Sequence, residues 1–455
     1  MGWWEEPLGR LVAGRRAIVA GGPAVFWTPM VATLRQLGAV DILVIATDGV
    51  GVGTPPDAET VVAEQPAGPM DFMAHVRASV RALGDPPPNV VDAVEAFDPD
   101  GTAVAFASFL HPAPAIAGRP YVAHRRAEWV ALEDKTVVDA LLDRARVERA
   151  PSAVVIVADA AAAWRALDAG DGTVWAGDAR DGFHGGASLT RRVTHDAPAA
   201  AETAQQAAHC DRVRIMPFLD GIATSVHGIV LPDGVASLRP VELVTLRDGH
   251  ELRYAGCATF WDPPGSIREQ MREAARRVGQ QLRAEVDFRG AFTLDGVATV
   301  DGFRPTELNP RFGAGLNVIT RGLLDIPLHL VLDLVVAGIP LGIGAAELER
   351  EVLESADASR VGGTWQVGAT PRLAVDGRPV RYADGGWRWA TDGEPPDGTV
   401  VAGPGFARID LDPERTPVGP SVGQRAADFW RFADAELGTT VGPLEAPPDV
   451  LAAVV

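Results

Sequence analysis

The alternation of apolar and polar positions in the first 125 residues predicts a small α/β unit. Residues 16–22 (RAIVAGG) are typical of a buried strand that runs into a glycine turn, 29–38 of a helix, and 41–47 (DILVIAT) of a second strand. Proline clusters at 55–56 and 86–88 mark loops between such elements. We therefore expect strands and helices to alternate over this region.

A helix is predicted shortly after residue 130. Apolar residues recur there at helical spacing, at Val137, Val138, Leu141, Leu142 and Ala145. Asp134 is the candidate N-cap, and Pro151 follows the predicted end. Lys135 then lies near a helix start, which the helix dipole makes the unfavourable end for a cation. Structure alone thus gives little reason for a lysine at this position.

Strands and one long helix are predicted in the middle of the chain. Ser266 and Glu269 form a capping box for a helix that continues to about residue 286. The strand-like segments are 152–157, 173–178, 213–221, 291–295 and about 303–309.

The last hundred residues have a different character. Beyond residue 355 the pattern predicts short strands with Gly/Asp turns, followed by one helix around 422–437. Just before this region, the apolar run 327–346 is interrupted by His329 and Asp333, which favours a core helix over a membrane span. We expect a β-rich C-terminal domain.

Composition narrows the function classes. The chain has 455 residues, 47% of them hydrophobic and 22% charged, which is ordinary for a globular protein. A formal charge of -19 speaks against a nucleic-acid partner, which would require a surplus of Lys and Arg. The start of the sequence does not resemble a signal peptide, and Cys210 and Cys257 imply neither a disulfide framework nor a zinc site. We expect a cytoplasmic protein with no membrane partner.

One residue type is almost missing. Lys135, in the segment ALEDKT (131–136), is the only lysine among 41 Lys and Arg residues. The abundance of Ala, Gly, Pro and Arg suggests a codon bias that would itself remove lysines. Lys135 therefore indicates a function only if the residues around it are also typical of a catalytic or binding site.

The segment 290–317 (GAFTLDGVATVDGFRPTELNPRFGAGLN) contains a charged cluster. Glu307, Asn309 and Arg311 alternate, so on a strand they would share one face. Asp295 lies on the preceding strand, and it joins that face only if the loop has an odd number of residues, centred on 301 or 302. We predict the odd loop.

Such a cluster needs a counter-charge. Two carboxylates that converge repel each other, and their desolvation is costly. A hard divalent cation meets this need, and magnesium typically takes one or two carboxylates together with substrate phosphates. For ExNxR alone, a solvated strand with scattered charges is an equally good interpretation.

These residues resemble the signature of the ATP-grasp superfamily of carboxylate-activating ligases. In that family an acidic residue or Gln is followed 12 positions later by Glu, 14 later by Asn and 16 later by Arg. Asp295, Glu307, Asn309 and Arg311 match this spacing. The resemblance extends over roughly residues 1–345. It implies an α/β (α+β) fold: a Rossmann-like pre-ATP-grasp domain at 1–125, an ATP-grasp domain at 126–345 with a lid at about 150–220, and an appended domain at 346–455.

The resemblance also implies the cofactors, ATP and Mg²⁺, and their ligands. Asp295, Glu307 and Asn309 would hold the metal, and Arg311 would be the catalytic residue that steadies an acylphosphate. The residues implied at the nucleotide resemble the family's phosphate lysine, its glycine-rich loop and its adenine-binding strand; they are Lys135, Gly185, Gly186, Ser188, Met216 and Phe218.

One feature departs from the family. The usual second lysine falls at Ala176 or Gly177 in this chain. Arg180 is the candidate replacement, although its guanidinium is forked and bulkier than an ammonium. A solvated loop arginine is an equal alternative.

The implied reaction joins a carboxylate to an amine through an acylphosphate, with release of ADP and phosphate. The segment before and after Lys135 resembles stand-alone peptide ligases of actinomycete natural-product pathways, of the pheganomycin type. The implied partners are a small-molecule or amino-acid carboxylate and an amine or peptide acceptor. The appended domain would shape the acceptor site or a homodimer contact.

Three alternatives stay open. Biotin-dependent carboxylases are disfavoured, because the chain has no Met-Lys biotin acceptor. A nucleotide-binding protein of the same fold without ligase activity would fit the missing second lysine. A dinucleotide-dependent oxidoreductase has little support, since AGGPAVF (20–26) does not have the GxGxxG spacing.

Overall fold

The computed structural model describes residues 2–51, 53–63, 72–111, 113–180, 185, 189–249, 251–323, 325–403 and 405–451. The predicted nucleotide residues Gly186 and Ser188 lie outside the described residues.

Helices occur along the whole described chain. In chain order they are α1 (Glu5–Val12), α2 (Thr28–Gln36), α3 (Phe72–Gly84), α4 (Pro88–Phe97), α5 (Ala127–Val130), α6 (Val138–Arg144), α7 (Ala160–Ala163), α8 (Asp196–Ala207), α9 (Gly265–Val286), α10 (Ala314–Gly322), α11 (Leu328–Ala337), α12 (Ala345–Ala358) and α13 (Gly423–Leu437).

Strands alternate with these helices and dominate the second half. In chain order they are β1 (Arg16–Ala20), β2 (Asp41–Ala46), β3 (Glu59–Val62), β4 (Val104–Ala107), β5 (Ala115–Ile116), β6 (Arg119–Pro120), β7 (Ala153–Ile156), β8 (Thr173–Gly177), β9 (Thr190–Val193), β10 (Arg212–Pro217), β11 (Ile222–Leu231), β12 (Gly234–Ser237), β13 (Val241–Asp248), β14 (Glu251–Ala258), β15 (Gly290–Thr299), β16 (Gly302–Asn309), β17 (Gly362–Ala369), β18 (Val375–Ala383), β19 (Gly386–Trp389), β20 (Gly398–Gly403) and β21 (Gly405–Leu411). The mixture of helices and strands confirms the predicted α/β (α+β) class.

The chain divides into two compact units. The first comprises residues 1–130, 231–234 and 323–348, and the second comprises 131–230, 235–322 and 349–455. The three predicted domains, 1–125, 126–345 and 346–455, stay a prediction.

The first unit contains a parallel sheet in the order β3-β2-β1-β4. Its central strands are apolar after their first residues, Arg16 and Asp41, and Ile18, Val19, Leu43 and Val44 are all fully buried. Such continuous apolar runs are what a parallel sheet covered on both faces requires. The predicted elements at 16–22, 29–38 and 41–47 are therefore confirmed as β1, α2 and β2.

The second unit is built on a large sheet whose main path runs β16-β15-β11-β13-β14-β17-β21-β20-β18-β19. Strands β7 to β10 join this path through the pairing of β9 with β14. The strands after residue 355 thus continue the sheet that carries β15 and β16. Helix α13 closes the hydrophobic core of this end with buried Phe429 and Trp430.

Two predicted helix starts were wrong. The helix near residue 136 begins at Val138, because the Asp134 carboxylate accepts a hydrogen bond from the Thr136 backbone N–H at 2.8 Å and forms a turn before the helix. The capping box at Ser266 does not form. Helix α9 already starts at Gly265, with extended Pro264 at its N-cap position, so Ser266 lies inside the helix.

The apolar run 327–346 contains a short buried helix, α11, which ends at Gly338 with a left-handed backbone. This confirms the prediction of a core helix. Among the described residues, no helix combines the length and the apolar character that a membrane crossing requires.

Candidate functional site: an acidic hairpin with buried cations

The β15–β16 hairpin brings Asp295 directly opposite Glu307. The predicted odd loop was wrong: Val300 and Asp301 form a two-residue turn, and Thr299 pairs with Gly302. A tight turn of this kind would place residue 306, not 307, opposite Asp295. An irregularity after Asp295 inserts one extra residue into β16 and restores the alignment. The predicted convergence of the two carboxylates is correct, but a bulge produces it.

Asn309 connects the two acids. Its side-chain Nδ2 donates to Oδ2 of Asp295 at 2.9 Å and to Oε1 of Glu307 at 3.2 Å. The strand ends at Asn309, so the prediction that Arg311 alternates along the same strand was wrong. Arg311 lies just beyond the end, and its Nη2 donates to Oδ1 of Asn309 at 3.1 Å.

Desolvation controls the chemistry of Asp295. Burial first, and the negative charge of Glu307 second, raise its pKa to about 7. A hydrogen bond from Ser225 on β11, together with the charges of Arg311 and Lys135, opposes this rise. Desolvation and the neighbouring acid thus outweigh the two nearby cations at Asp295.

Two residues of the ALEDKT segment, Glu133 and Lys135, contact the hairpin or the residues just after it. Lys135, whose side chain is 7% exposed, places Nζ 3.2 Å from Oε2 of Glu307 and 3.4 Å from Oγ1 of Thr190. Glu133 ends a short 3₁₀ turn, and its Oε1 lies 3.4 Å from Nε of Arg311. Sequence reasoning missed Glu133, although it stands two residues before the lysine that drew attention to the segment.

A second layer behind the hairpin fixes the loop that carries Arg311. The ring Nδ1 of His227 on β11 is hydrogen-bonded to Oγ1 of Thr293 at 3.0 Å. A Cβ atom at Gly313 would meet Thr293 Oγ1 at 2.3 Å, and one at Gly315 would meet His227 Nε2 at 2.3 Å. Close packing thus explains why Gly313 and Gly315 follow Arg311. Burial also lowers the pKa of His227 to about 3, which keeps the ring neutral.

Arg180 has other partners near its own loop. Its Nη1 lies 3.1 Å from Oδ1 of Asp211, and its Nη2 donates to the Ala208 carbonyl at 2.6 Å. Neither partner belongs to the acidic hairpin. Its predicted role at the nucleotide stays a prediction.

Sequence reasoning missed a second buried cation. Arg214 on β10 pairs directly across from Ala176 on β8, the position where the second lysine is absent. Its guanidinium is 2.7 Å from Oδ1 of Asp139 and donates to the Thr306 carbonyl at 3.3 Å. Desolvation raises the pKa of Asp139, but the hydrogen bonds and charge of Arg214 and its other partners lower it overall.

The predicted adenine-binding strand is β10 with the residues that follow it. Met216 is buried and accepts a hydrogen bond at its sulfur from Arg214 at 3.2 Å. The backbone N–H of Phe218 donates to the Gly172 carbonyl at 2.9 Å, and Arg192 stacks 3.7 Å from the centre of the Phe218 ring. The roles assigned to Met216, Phe218 and Gly185 stay predictions.

The donor set at the hairpin suits a hard cation. The hairpin brings together two carboxylates and one side-chain amide, with no sulfur or imidazole among them. Within the described ranges, no group of three or more His, Cys, Asp and Glu could hold a metal ion. The hairpin would therefore supply a partial shell that water and substrate oxygens complete.

Solved structures resemble the whole described chain. Biotin carboxylase of Campylobacter jejuni, solved as a β,γ-ATP complex, has a TM-score of 0.55 and 13% identity, over 96% of this chain and 94% of that chain. Pyruvate carboxylase of Rhizobium etli (T882A, with acetyl coenzyme A) has a TM-score of 0.55 and 15% identity over 93% of this chain, which spans only 37% of that enzyme. L-amino acid ligase of Bacillus licheniformis has a TM-score of 0.50 and 14% identity, over 95% and 98%.

No protein-family model matches the chain, and no curated protein sequence matches it either. At these identities the structural similarity shows the fold alone. The chain has the ATP-grasp fold, and the predicted recognition of that fold is confirmed.

Proposed function

We propose that the chain is an ATP-dependent ligase that joins a carboxylate to an amine through an acylphosphate and releases ADP and phosphate. The observation that supports this most is the pairing of Asp295 with Glu307 beside Asn309, Lys135 and Arg311. A pair of desolvated acids with two cations at its edge is unfavourable as structure alone and is suited to phosphoryl transfer.

The acids and the amide would hold Mg²⁺. Asp295 and Glu307 would contribute carboxylate oxygens, and Asn309 would turn its amide oxygen inward. Magnesium, when bound, neutralises and orients the phosphate oxygens of ATP. The hydrogen bonds from Asn309 to both acids mark the space that such an ion would fill.

Lys135 would bind a phosphate of the nucleotide as a compact charge. Its Nζ lies 3.2 Å from Oε2 of Glu307, so the ammonium lies next to the proposed metal ligands. Arg311 would hold the acylphosphate and the oxyanion of its amine adduct, because it lies just beyond the end of β16 and its guanidinium contacts Asn309. Both cations would act mainly by positioning and by neutralising charge.

For the substrates we propose an amino-acid-derived carboxylate and an amine or peptide acceptor, in the biosynthesis of a peptide natural product. The similarity to an L-amino acid ligase supports an amino-acid substrate. The resemblance of residues 115–152 to stand-alone peptide ligases supports a peptide product.

The test is the release of ADP and phosphate as a function of both substrates. The expected result is that release requires a carboxylate and is accelerated by an amine, and that hydroxylamine in place of the amine gives a hydroxamate. ADP release without any trapped acyl product, across a broad panel of carboxylates, would contradict ligation and favour a nucleotide-binding or ATP-hydrolysing role.

A further inference from the structure

Glu133 and Lys135 carry opposite charges, and each contacts an oppositely charged residue at or just after the β15–β16 hairpin. Lys135 reaches Glu307 at 3.2 Å, and Glu133 reaches Arg311 at 3.4 Å. The side chains of Glu133 and Arg311 are 8% and 9% exposed, so this carboxylate is withdrawn from solvent together with the arginine. The proposed function uses Lys135, Glu307 and Arg311 and leaves Glu133 without a role.

The ligase reaction needs a group that removes a proton. An alkyl amine is mostly an ammonium at neutral pH, and an ammonium has no lone pair with which to attack. Asp295 and Glu307 cannot serve, since they would be ligands of the metal. A further carboxylate close to the reacting carbon would meet the requirement.

Glu133 lies close enough to Arg311 to contact an amine that attacks an acyl group held by this arginine. An oxygen atom that accepts a hydrogen bond from Nε of Arg311 lies at most roughly 6 Å from Oε1 of Glu133. One amine nitrogen with its protons spans such a gap, with hydrogen-bond contact to the carboxylate and close approach to the acyl carbon.

We propose that Glu133 binds the acceptor as a primary ammonium and acts as the general base that deprotonates it, which makes Glu133 a catalytic residue of the proposed ligase. This inference rests on the proposed function. The Glu133 carboxylate takes one proton, and the nitrogen lone pair forms the bond to the acyl carbon. The bond from that carbon to the phosphate oxygen then breaks, and the phosphate leaves with the electron pair and the second proton of the nitrogen.

The experiment compares two nucleophiles in the full-length chain. Hydroxylamine is largely uncharged at neutral pH and needs no base, whereas amino-acid amides are mostly protonated. The donors are the twenty common L-amino acids with ATP and Mg²⁺ at pH 7, and mass spectrometry measures hydroxamate and amide products. The variants are Glu133→Gln, Glu133→Asp and the control Glu148→Gln, whose carboxylate contacts Arg304 on the same strand as Glu307.

We expect Glu133→Gln to form hydroxamate within about threefold of the wild-type rate and to lose about 100-fold in amide formation. The amide deficit should shrink as the pH is raised, because free amine then becomes abundant. Glu133→Asp should recover part of the loss, and Glu148→Gln should match the wild type with both nucleophiles.

Other outcomes overturn the inference. Equal losses with hydroxylamine and with amines would mean that Glu133 only holds Arg311 in place. Unchanged amide formation in Glu133→Gln, or a wild-type chain that forms hydroxamate but accepts no primary amine of the panel, would also contradict it. A wild-type chain that forms no hydroxamate from any donor would instead contradict the proposed function, which is a distinguishable result.

Discussion

Asp295 and Glu242 are two acids on strands of the same sheet, and desolvation is the first cause that raises the pKa of each to about 7. Glu242 is buried and Asp295 is half-buried. Glu242 accepts hydrogen bonds from Ser421 Oγ at 2.5 Å and from the Val422 backbone N–H at 2.9 Å, just before helix α13. Asp295 instead faces a second acid, Glu307, across the hairpin.

The difference separates an acid with a structural environment from the acid that we propose to be functional. The donors of Glu242 belong to the segment that it fastens, so the folded chain itself completes its environment. Asp295 also has donors, Ser225 and Asn309, but a second acid faces it, and this favours the binding of further positive charge. Desolvation and a raised pKa are common to both sites, so the neighbouring groups are what distinguish them.

The largest expected effect comes from removal of one acid of the hairpin. Glu307→Gln should lower the rate of ligation by about 1,000-fold or more, since it removes a metal ligand and the partner of Lys135. Steady-state ADP release measures this loss, and circular dichroism verifies the fold.

The control for this variant is Glu242→Gln, which neutralises the structural acid of the comparison. It should keep its activity within a few-fold of the wild type at neutral pH. A normal rate in Glu307→Gln would remove Glu307 from the metal site.

Arg311→Lys should affect chemistry more than nucleotide binding. A lysine cannot both donate to Asn309 and keep a second nitrogen beside Glu133 as the guanidinium does, so we expect about a 100-fold lower kcat with ATP affinity within about threefold. Single-turnover kinetics and nucleotide titration separate the two quantities. Arg321→Lys, at an exposed ion pair with Asp410, is the control. Equal losses in binding and in rate would contradict the assigned role of Arg311.

Lys135→Arg should weaken ATP binding by roughly 10- to 100-fold, because the buried ammonium occupies a space that a forked guanidinium does not fit. Calorimetry with a non-hydrolysable ATP analogue measures the change. Since Lys135 is the only lysine, peptide mapping after treatment with an amine-reactive reagent separates its acylation from that of the α-amine, and nucleotide should protect Lys135. Near-normal affinity in the variant would mean that Lys135 has no specific role at the nucleotide. Codon bias would then be sufficient to explain why it is the only lysine.

The smallest effect is a pH dependence of stability at the structural acid. Burial raises the pKa of Glu242 from 4.5 to about 7, so the folded state binds more protons than the unfolded state between these values. Its contribution is fully present below pH 4.5 and is lost as the pH rises to about 7. At about 1.4 kcal/mol for each pH unit, the loss is at most about 3 kcal/mol.

Glu242→Gln should remove this component. The difference in unfolding free energy between the variant and the wild type, measured by urea denaturation from pH 4 to pH 8, should shift in favour of the variant as the pH rises. A difference that does not vary with pH would show that Glu242 keeps its charge in the folded chain.

The fold was predictable where the pattern was local. Apolar runs located β1 and β2, and the spacing of Asp295, Glu307, Asn309 and Arg311 led to the correct fold. The facing positions of Asp295 and Glu307 were also predicted, because a shared metal site would require the two carboxylates to converge. The sequence did not indicate how it arises, since a two-residue turn followed by a bulge gives the same facing pair as an odd loop.

The missed residues depend on contacts between distant segments. Glu133 meets Arg311 across 178 positions of sequence, and Arg214 lies opposite Ala176 only because β8 and β10 pair in one register. Strand pairing of this kind is set by tertiary packing, which a single sequence does not reveal. The helix starts failed for a related reason, since Asp134 and Ser266 have the chemistry of caps but the backbone uses other residues there.

We propose that Asp295, Glu307 and Asn309 hold a divalent cation together with ATP. A titration with Mn²⁺, followed by electron paramagnetic resonance in the presence of a non-hydrolysable ATP analogue, tests this proposal. We expect saturable Mn²⁺ binding in the wild type and in Glu242→Gln, and at least tenfold weaker binding in Glu307→Gln. Equal Mn²⁺ affinity in the wild type and in Glu307→Gln, with the nucleotide bound, would contradict it.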